Sequence, residues 1–345
     1  MKTLKIVPLV VAMLITMVGE VQAQSPKAEN DPNIDPQIRG FLKALNTSGG
    51  KPVESLSPED ARLVLVGAQK SVEVDYSGIV ETEKTIVQDG VAIKIHIVKP
   101  KGAKANLPVF MYFHGGGWVL GDYPTHRRLV RDLVVNSGVA AVFPDYTPSP
   151  EAHYPVAVNQ GYAATKWVAE HGNEIGVNGK NLAVVGNSVG GNMAAVVALM
   201  AKDKKGPEIK LQVLLWPVTD ADFNRPSYKE FEEGRFLTTS LMKWMWDHYT
   251  TDVNQRKEKY ATPINATLEE LKGLPPALVQ TAEHDILRDE GEAYARKMAE
   301  AGVPVTLTRY QGMIHDYGLL NPIANVPAVQ SALIQAAAVI KSTLK

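Results

Sequence analysis

Short apolar runs alternate with amphipathic stretches along most of this 345-residue chain. A run of about four to eight apolar residues is typical of a strand buried on both faces, whereas apolar residues at every third or fourth position indicate a helix. Helical stretches separate the apolar runs PVFMYF at 108–113, VAAVFPDY at 139–146, NLAVVG at 181–186, IKLQVLLWP at 209–217, PALVQTAEHD at 276–285 and VPVTLTRY at 303–310. Strands that alternate with helices predict an α/β fold around a mostly parallel sheet.

A hairpin and a helical region are predicted ahead of these runs. The segment at 83–100 alternates apolar and polar residues around Asp89-Gly90, which is a strong hairpin signal. Residues 36–77 have helical patterns. From about 218 to 263 the alternation of strands and helices is interrupted, because no apolar run there is typical of a buried strand. We expect this insertion to form helices away from the sheet and, together with residues 36–77, to form a cap.

The first residues differ from the rest of the chain. Two lysines precede an apolar stretch from Ile6 to Val18, and the small residues Val21 and Ala23 suit cleavage after Ala23. This is the pattern of a secretory signal peptide, and we expect the mature protein to be exported to a periplasm or secreted. The apolar stretch is short for a membrane span, and an uncleaved membrane anchor is the alternative.

The charge balance limits the classes of partner, and the cysteine content limits how the fold is stabilised. The 36 Lys and Arg residues nearly balance the 37 Asp and Glu residues, which gives a formal net charge of −1 at pH 7. We therefore expect no nucleic-acid partner and, after cleavage of the signal peptide, no stable insertion into a membrane. The chain contains no cysteine, so its stability must come from a hydrophobic core and not from disulfides.

One serine lies in a turn of unusual composition. The apolar run at 181–186 leads into GNSVGG at 186–191, and an alanine-rich helical pattern follows. The spacing G-x-S-x-G between a strand and a helix is that of a nucleophile elbow, in which the glycines relieve crowding in a strained turn. The alternative is a tight turn whose serine has no catalytic use. We predict that Ser188 is a nucleophile at the carboxyl edge of the sheet.

A serine hydroxyl needs a general base, and chain order limits the choice. In folds with this elbow an acid and then a histidine follow the serine, which leaves His248, His284 and His315. His248 lies inside a predicted cap helix. His315 lies in the loop after the last strand, and Asp285 lies in the loop after the strand before it. Because both loops open on the same sheet edge as Ser188, we predict His315 as the base and Asp285 as the acid.

A glycine-rich segment follows the strand at 108–113. FHGGGW at 113–118 contains three consecutive glycines, which tolerate unusual backbone angles and let N–H groups approach a substrate closely. A flexible loop or a phosphate cradle is the alternative, although the Gly-Lys-Ser/Thr ending of the phosphate loop is absent. We predict that this segment binds the oxyanion that forms when a nucleophile attacks a carbonyl group.

Together these motifs resemble the hormone-sensitive-lipase-like branch of the α/β hydrolases, also called bacterial family IV carboxylesterases. The resemblance covers the chain from about Pro36 onward, and its motifs are HGGGW at 114–118, PDY…PE…YP at 144–155, GNSVGG at 186–191, DILRDEG at 285–291 and the histidine loop at 315. It implies an α/β-hydrolase fold with a mostly parallel central sheet flanked by helices and a helical cap. It also implies a triad of Ser188, Asp285 and His315, and an oxyanion hole made by the N–H groups of Gly116, Gly117 and Val189.

The resemblance implies a serine carboxylesterase that hydrolyses short-to-medium acyl esters through an acyl-enzyme, with no metal or cofactor. A small-molecule ester is then the partner, and a homodimer is a candidate assembly. The implied organisation is a signal peptide at 1–23, a linker with N-terminal cap helices at 24–77, and a catalytic domain at 78–345 with a cap insertion at about 218–263. The alternatives are an amidase or formamidase, a true lipase with the same triad, and a non-catalytic small-molecule receptor on the same fold.

Large side chains near the cap are candidates for the substrate pocket. Trp118 adjoins the three glycines, and the insertion carries Trp244, Trp246, Met242 and Met245. If they face the site, they form a pocket for a short acyl chain. The alternative for each is packing between the cap and the body of the protein.

The chain departs from the usual motifs of this family at several positions. Asn187 and Val189 stand where GDSAGG has aspartate and alanine, and Thr147 stands where arginine is usual. HDYG replaces the usual His-Gly-Phe at the histidine loop. We expect Asp316 to be a solvated loop charge that raises the pKa of His315, because a nearby carboxylate favours the charged imidazole.

Overall fold

The computed structural model describes residues 26–345, and the predicted signal peptide lies outside them. Eight strands form one sheet in the order β1-β2-β4-β3-β5-β6-β7-β8. Their bounds are β1 Ile79–Gln88, β2 Val91–Pro100, β3 Leu107–Phe113, β4 Ala140–Asp145, β5 Val177–Asn187, β6 Leu211–Leu215, β7 Ala277–His284 and β8 Val305–Ile314. Strand β2 is antiparallel to β1 and β4, and the other pairs are parallel. The predicted α/β-hydrolase architecture with a mostly parallel sheet is confirmed.

The hairpin at the antiparallel edge forms as its pattern indicates. Gln88 pairs with Val91, so that β1 and β2 are joined by a turn of two residues. Asp89 has a φ of 50° and Gly90 has a φ of 80°. Two successive positive φ values match the right-handed twist of the flanking strands, which is why Asp-Gly is favoured in such turns.

Helices cover both faces of the sheet. Their bounds are α1 Pro36–Thr47, α2 Pro58–Lys70, α3 Tyr123–Ser137, α4 Val156–His171, α5 Val189–Asp203, α6 Pro226–Glu230, α7 Thr239–Tyr249, α8 Leu268–Leu271, α9 Arg288–Glu300 and α10 Pro327–Leu344. Buried side chains of α4, α5 and α9 form one core with the sheet, and those of α3 and α10 form a second core on the opposite face. Within residues 26–345, no helix combines the length and the apolar character needed to cross a membrane.

The predicted insertion contains helices α6 and α7 and, in the described chain, no strand. It touches the N-terminal helical region directly. Asn46 Nδ2 donates a hydrogen bond to the carbonyl oxygen of Gly234 at 3.0 Å, and Ser240 Oγ donates to Glu54 Oε1 at 2.5 Å. The two segments of the predicted cap are therefore in contact with each other.

Candidate active site

Ser188 occupies the turn between β5 and α5. Its backbone has a φ of 54° and a ψ of −123°, a conformation that is strained for a residue with a side chain. A Cβ atom on Gly186 would lie 2.1 Å from the carbonyl oxygen of Gly190, and one on Gly190 would lie 2.0 Å from the carbonyl oxygen of Phe113. The turn therefore has room only for hydrogen at both positions, which explains the glycines on either side of the serine.

Three distant side chains meet at this turn. Ser188 Oγ donates to His315 Nε2 at 3.0 Å, and His315 Nδ1 donates to Asp285 Oδ2 at 2.7 Å. The other oxygen of the carboxylate, Asp285 Oδ1, accepts a hydrogen bond from the N–H of Leu287 at 2.9 Å. Asp285 follows β7 and His315 follows β8, so that parallel strands deliver both side chains to the sheet edge where Ser188 lies.

The other two histidine candidates have different surroundings. His248 Nδ1 donates to the carbonyl oxygen of Trp244 at 2.9 Å within α7. His284 Nδ1 lies 3.8 Å from the carboxylate of Asp31, in the N-terminal segment. The structure therefore places His315, and neither of these two, in hydrogen-bond contact with Ser188.

Asp316 is not the solvated loop charge that we expected from the sequence. Its residue surface is only 6% exposed. Asp316 Oδ1 accepts hydrogen bonds from Asn187 Nδ2 at 2.9 Å and from Trp216 Nε1 at 2.7 Å. The sequence prediction was wrong because these partners are 129 and 100 residues away, and no local pattern reveals them.

The pKa of the His315 imidazole is set by opposing effects. Burial alone lowers this pKa, but the carboxylates of Asp285 and Asp316 outweigh it. As a result the pKa of His315 is raised from the ordinary value of 6.5. The direction agrees with the effect that we expected from a carboxylate beside the base.

The glycine-rich loop after β3 is held by hydrogen bonds to polar side chains from α3 and from the end of β5. The N–H of Gly115 donates to Asn187 Oδ1 at 3.0 Å and to His126 Nε2 at 3.2 Å. His114 Nδ1 donates to the carbonyl oxygen of Gly115 at 2.8 Å, and burial lowers the pKa of His114 to about 4, so that its ring is neutral at pH 7. His126 was not anticipated as a loop support, because in the sequence it is one polar residue of an amphipathic helix.

The predicted oxyanion donors have free N–H groups. Gly116 has a φ of 106° and Gly117 a φ of 65°, and among residues 26–345 no chain atom accepts a hydrogen bond from either N–H. Val189 is the first residue of α5, and an N–H in the first turn of a helix has no acceptor within the helix. These three N–H groups are available to an oxyanion.

The predicted pocket residues fall into two groups. Trp118 and Trp246 are fully buried and pack with Tyr249, whose ring stacks on Trp118 at a centroid distance of 3.9 Å. Trp244 instead packs on His248 at 4.2 Å. Contact of Trp118, Trp244 and Trp246 with a substrate stays a prediction. Met245 packs against one of the predicted oxyanion donors, since its Sδ lies 2.1 Å from where a Cβ atom on Gly117 would be.

In the part of the chain that the structure describes, no group of three or more His, Cys, Asp or Glu side chains is arranged to hold a metal ion.

Several known proteins with similar sequences or structures are named esterases. The α/β hydrolase fold family matches residues 110–319 of the chain. Carboxylesterase NlhH of Mycobacterium tuberculosis is 37% identical over 267 residues, which cover 76% of this chain and 82% of that protein. Ethyl acetate hydrolase of Pseudomonas putida is 29% identical over 294 residues, which cover 83% of this chain and 92% of that protein.

A solved structure extends this similarity to most of the described chain. The thermostable esterase of Pseudomonas putida ECU1011 is 64% identical and superposes with a TM-score of 0.91, over 91% of this chain and 99% of that one. The predicted resemblance is confirmed: the chain belongs to the hormone-sensitive-lipase-like branch of the α/β hydrolase family and is a carboxylic ester hydrolase.

Proposed function

We propose that Ser188 is the nucleophile, His315 the general base and Asp285 the orienting acid of an ester hydrolase that works through an acyl-enzyme. The observation that carries the proposal is the unbroken pair of hydrogen bonds from Ser188 Oγ to His315 Nε2 and from His315 Nδ1 to Asp285 Oδ2. A serine hydroxyl is a poor nucleophile at neutral pH, and a base within hydrogen-bond distance of its proton removes that limitation.

The reaction begins when Ser188 Oγ attacks the ester carbonyl carbon and its proton passes to His315 Nε2. Asp285 holds the Nδ1–H of the ring and stabilises the imidazolium that forms. The N–H groups of Gly116, Gly117 and Val189 donate to the tetrahedral oxyanion, and one such donor is typically worth about 3 kcal/mol.

Collapse of the tetrahedral intermediate breaks the bond between the carbonyl carbon and the alcohol oxygen. His315 gives its proton to that oxygen, and the alcohol leaves an acyl group on Ser188. Water then attacks the acyl-enzyme with His315 as base, which releases the carboxylic acid and regenerates the serine hydroxyl. Every proton in both half-reactions moves through His315 Nε2, so that this one nitrogen acts alternately as base and acid.

We infer that the acyl group is short to medium in length. Met245 lies against Gly117, one of the proposed oxyanion donors, so that its side chain narrows the space beside that donor. The similarity to an ethyl acetate hydrolase points in the same direction. We expect faster hydrolysis of a C4 than of a C16 p-nitrophenyl ester. The reverse preference would identify a lipase and contradict this substrate class.

The nucleophile is tested with Ser188→Ala, which removes Oγ and which we expect to leave the fold intact. We expect kcat for p-nitrophenyl butyrate to fall by roughly 10⁴- to 10⁶-fold, because a triad without its nucleophile retains only oxyanion and binding effects. A fluorophosphonate probe should label the wild-type chain and leave the variant unlabelled. Near-normal turnover by the variant, with an unchanged thermal unfolding midpoint, would show that another group performs the attack.

A further inference from the structure

Asp316 directly follows the proposed base and turns its carboxylate back towards it. Asp316 Oδ2 lies 3.8 Å from His315 Nε2, the nitrogen that also accepts from Ser188. The other oxygen, Oδ1, is fully engaged by Asn187 and Trp216. The site therefore contains a second carboxylate, in addition to Asp285, and it lies on the opposite side of the imidazole ring.

Hydrogen-bond donors require an acceptor oxygen at both positions, 187 and 316, of this arrangement. Because the Trp216 Nε1–H can only donate, the atom that it faces on residue 316 has to accept. The N–H of Gly115 likewise can only donate, so that Asn187 has to turn its Oδ1 towards the glycine-rich loop. Asn187 Nδ2 is then left to donate to Asp316, which it does at 2.9 Å.

These contacts form one continuous network. It runs from Gly115 in the glycine-rich loop, through Asn187 beside the nucleophile, to Asp316 beside the base. Tyr112 adds a further donor, since its hydroxyl group donates to Asn187 Oδ1 at 2.9 Å. Two of the positions at which the chain departs from the usual family motifs, 187 and 316, are thus direct hydrogen-bond partners.

The backbone of Asp316 has an unfavourable conformation for a residue with a side chain. The residue has a φ of 57°, in the left-handed region that glycine adopts most freely. Aspartate tolerates this region better than most residues but remains less favourable there than glycine. A strained residue that also carries a buried charge is a candidate for a functional role.

We propose that Asp316 is a positioning residue of the hydrolytic reaction. Through Asn187 it fixes the loop that carries His315 relative to Ser188 and to the glycine-rich loop. Through Oδ2 it stabilises the imidazolium of His315. This inference rests on the proposed function, because it presupposes His315 as the base. It assigns to Asp316 no contact with the substrate, and it predicts effects on the titration of the base and on kcat.

The charged groups that act on His315 in the described chain are few. Asp285 faces Nδ1 from the loop after β7, and Asp316 faces the Nε2 side from the loop after β8. Ser188, which contacts His315, and the neighbouring Asn187 carry no charge. Both carboxylates favour the protonated ring, and burial opposes them.

The first test is the pH dependence of kcat/KM for Asp316→Asn. This change keeps an oxygen that can accept from Asn187 and Trp216 but removes the negative charge. Because His315 acts in its neutral form, activity rises with pH through its pKa. Loss of a carboxylate within about 4 Å should lower the midpoint of this rise by about one pH unit. As a matched control, Asp75→Asn at the exposed end of an Arg131 ion pair should leave the midpoint unchanged.

A superimposable pH profile for Asp316→Asn would overturn the electrostatic role of Asp316. That failure is distinct from failure of the proposed function, which depends on the loss of turnover and of probe labelling in Ser188→Ala. The thermal unfolding midpoint of Asp316→Asn should remain close to that of the wild type, since shape and acceptor are retained.

The second test addresses the hydrogen-bond network with Asn187→Asp, alone and together with Asp316→Asn. The single change places two carboxylate oxygens in contact, and we expect kcat to fall about tenfold with little change in KM. Adding Asp316→Asn removes the like-charge contact, so that the double variant should lose less activity than the product of the two single losses. Losses that multiply would show that the two side chains act independently, and would overturn the positioning role.

Discussion

At the scale of single residues, the candidate active site depends on positions where a side chain cannot fit. Ser188 adopts a strained backbone because β5 turns abruptly into α5, and the turn brings Gly190 against the carbonyl oxygen of Phe113. The lack of space for a side chain is visible in the sequence, since glycine is the residue without a Cβ atom. Gly186 and Gly190 are therefore recognisable from the order of amino acids alone.

Gly190→Ala should destabilise the protein by about 2 kcal/mol or more, because the new methyl group would lie 2.0 Å from a backbone oxygen that cannot rotate away. Gly67→Ala is a matched control. Gly67 lies within α2, and a methyl group there would have nothing within 4 Å, so that alanine should stabilise by about 0.5–1 kcal/mol. Urea unfolding of both variants measures the difference, and equal stability of the two would contradict the steric account.

The same scale shows why part of the site escapes sequence reasoning. Ser188, Asp285 and His315 can be ordered by their motif and by the strand ends that they follow. Neither signal identifies Asp316 as part of the site, because a charged residue in a loop is ordinarily solvated. Its partner Asn187 is apparent only as a substitution in a motif. The hydrogen bond between Asn187 and Asp316 forms only because the elbow packs against the loop that carries His315.

At the scale of secondary-structure elements, the cap packs against the glycine-rich loop. Helix α7 places Met245 against Gly117 and Trp246 against Trp118. The alternation of strands and helices is predictable from apolar periodicity, and so is the helical character of the insertion. Which side of α7 faces the loop is not predictable, because Trp244, Met245 and Trp246 are all apolar and adjacent.

Met245→Ala should widen the space beside the proposed oxyanion loop. We expect the ratio of kcat/KM for a C8 over a C4 p-nitrophenyl ester to rise several-fold, since removal of the thioether leaves room for additional methylene groups, each worth about 0.8 kcal/mol when buried. Leu268→Ala, at a half-exposed position at the start of α8, is the control and should leave the ratio unchanged. An unaltered ratio in Met245→Ala would place the acyl group away from α7.

At the scale of the whole molecule, the segment before α1 is tied to the cap through a buried ion pair. Arg235 Nη2 lies 3.0 Å from Asp31 Oδ2, and both side chains are almost completely shielded from water. His284, the residue before Asp285, lies 3.8 Å from the same carboxylate. The N-terminal segment, the insertion and the end of β7 next to the proposed acid therefore converge on one carboxyl group.

Arg235→Met should lower the free energy of unfolding by about 3 kcal/mol or more, because it leaves the Asp31 carboxylate buried without its cation. Lys84→Met at an exposed ion pair with Glu174 is the control, and it should cost less than about 1 kcal/mol. Chemical denaturation at pH 7 measures both. A loss in Arg235→Met no greater than in the control would show that burial of the pair contributes little.

The order of the strands has a consequence for refolding of the protein. Strand β8, which precedes His315, lies at the outer edge of the sheet and is the last strand in chain order. With His315 as the base, a refolding chain can possess its elbow and its glycine-rich loop and still be inert until β8 docks. Turnover of a fluorogenic ester is then a clock for the docking of this strand.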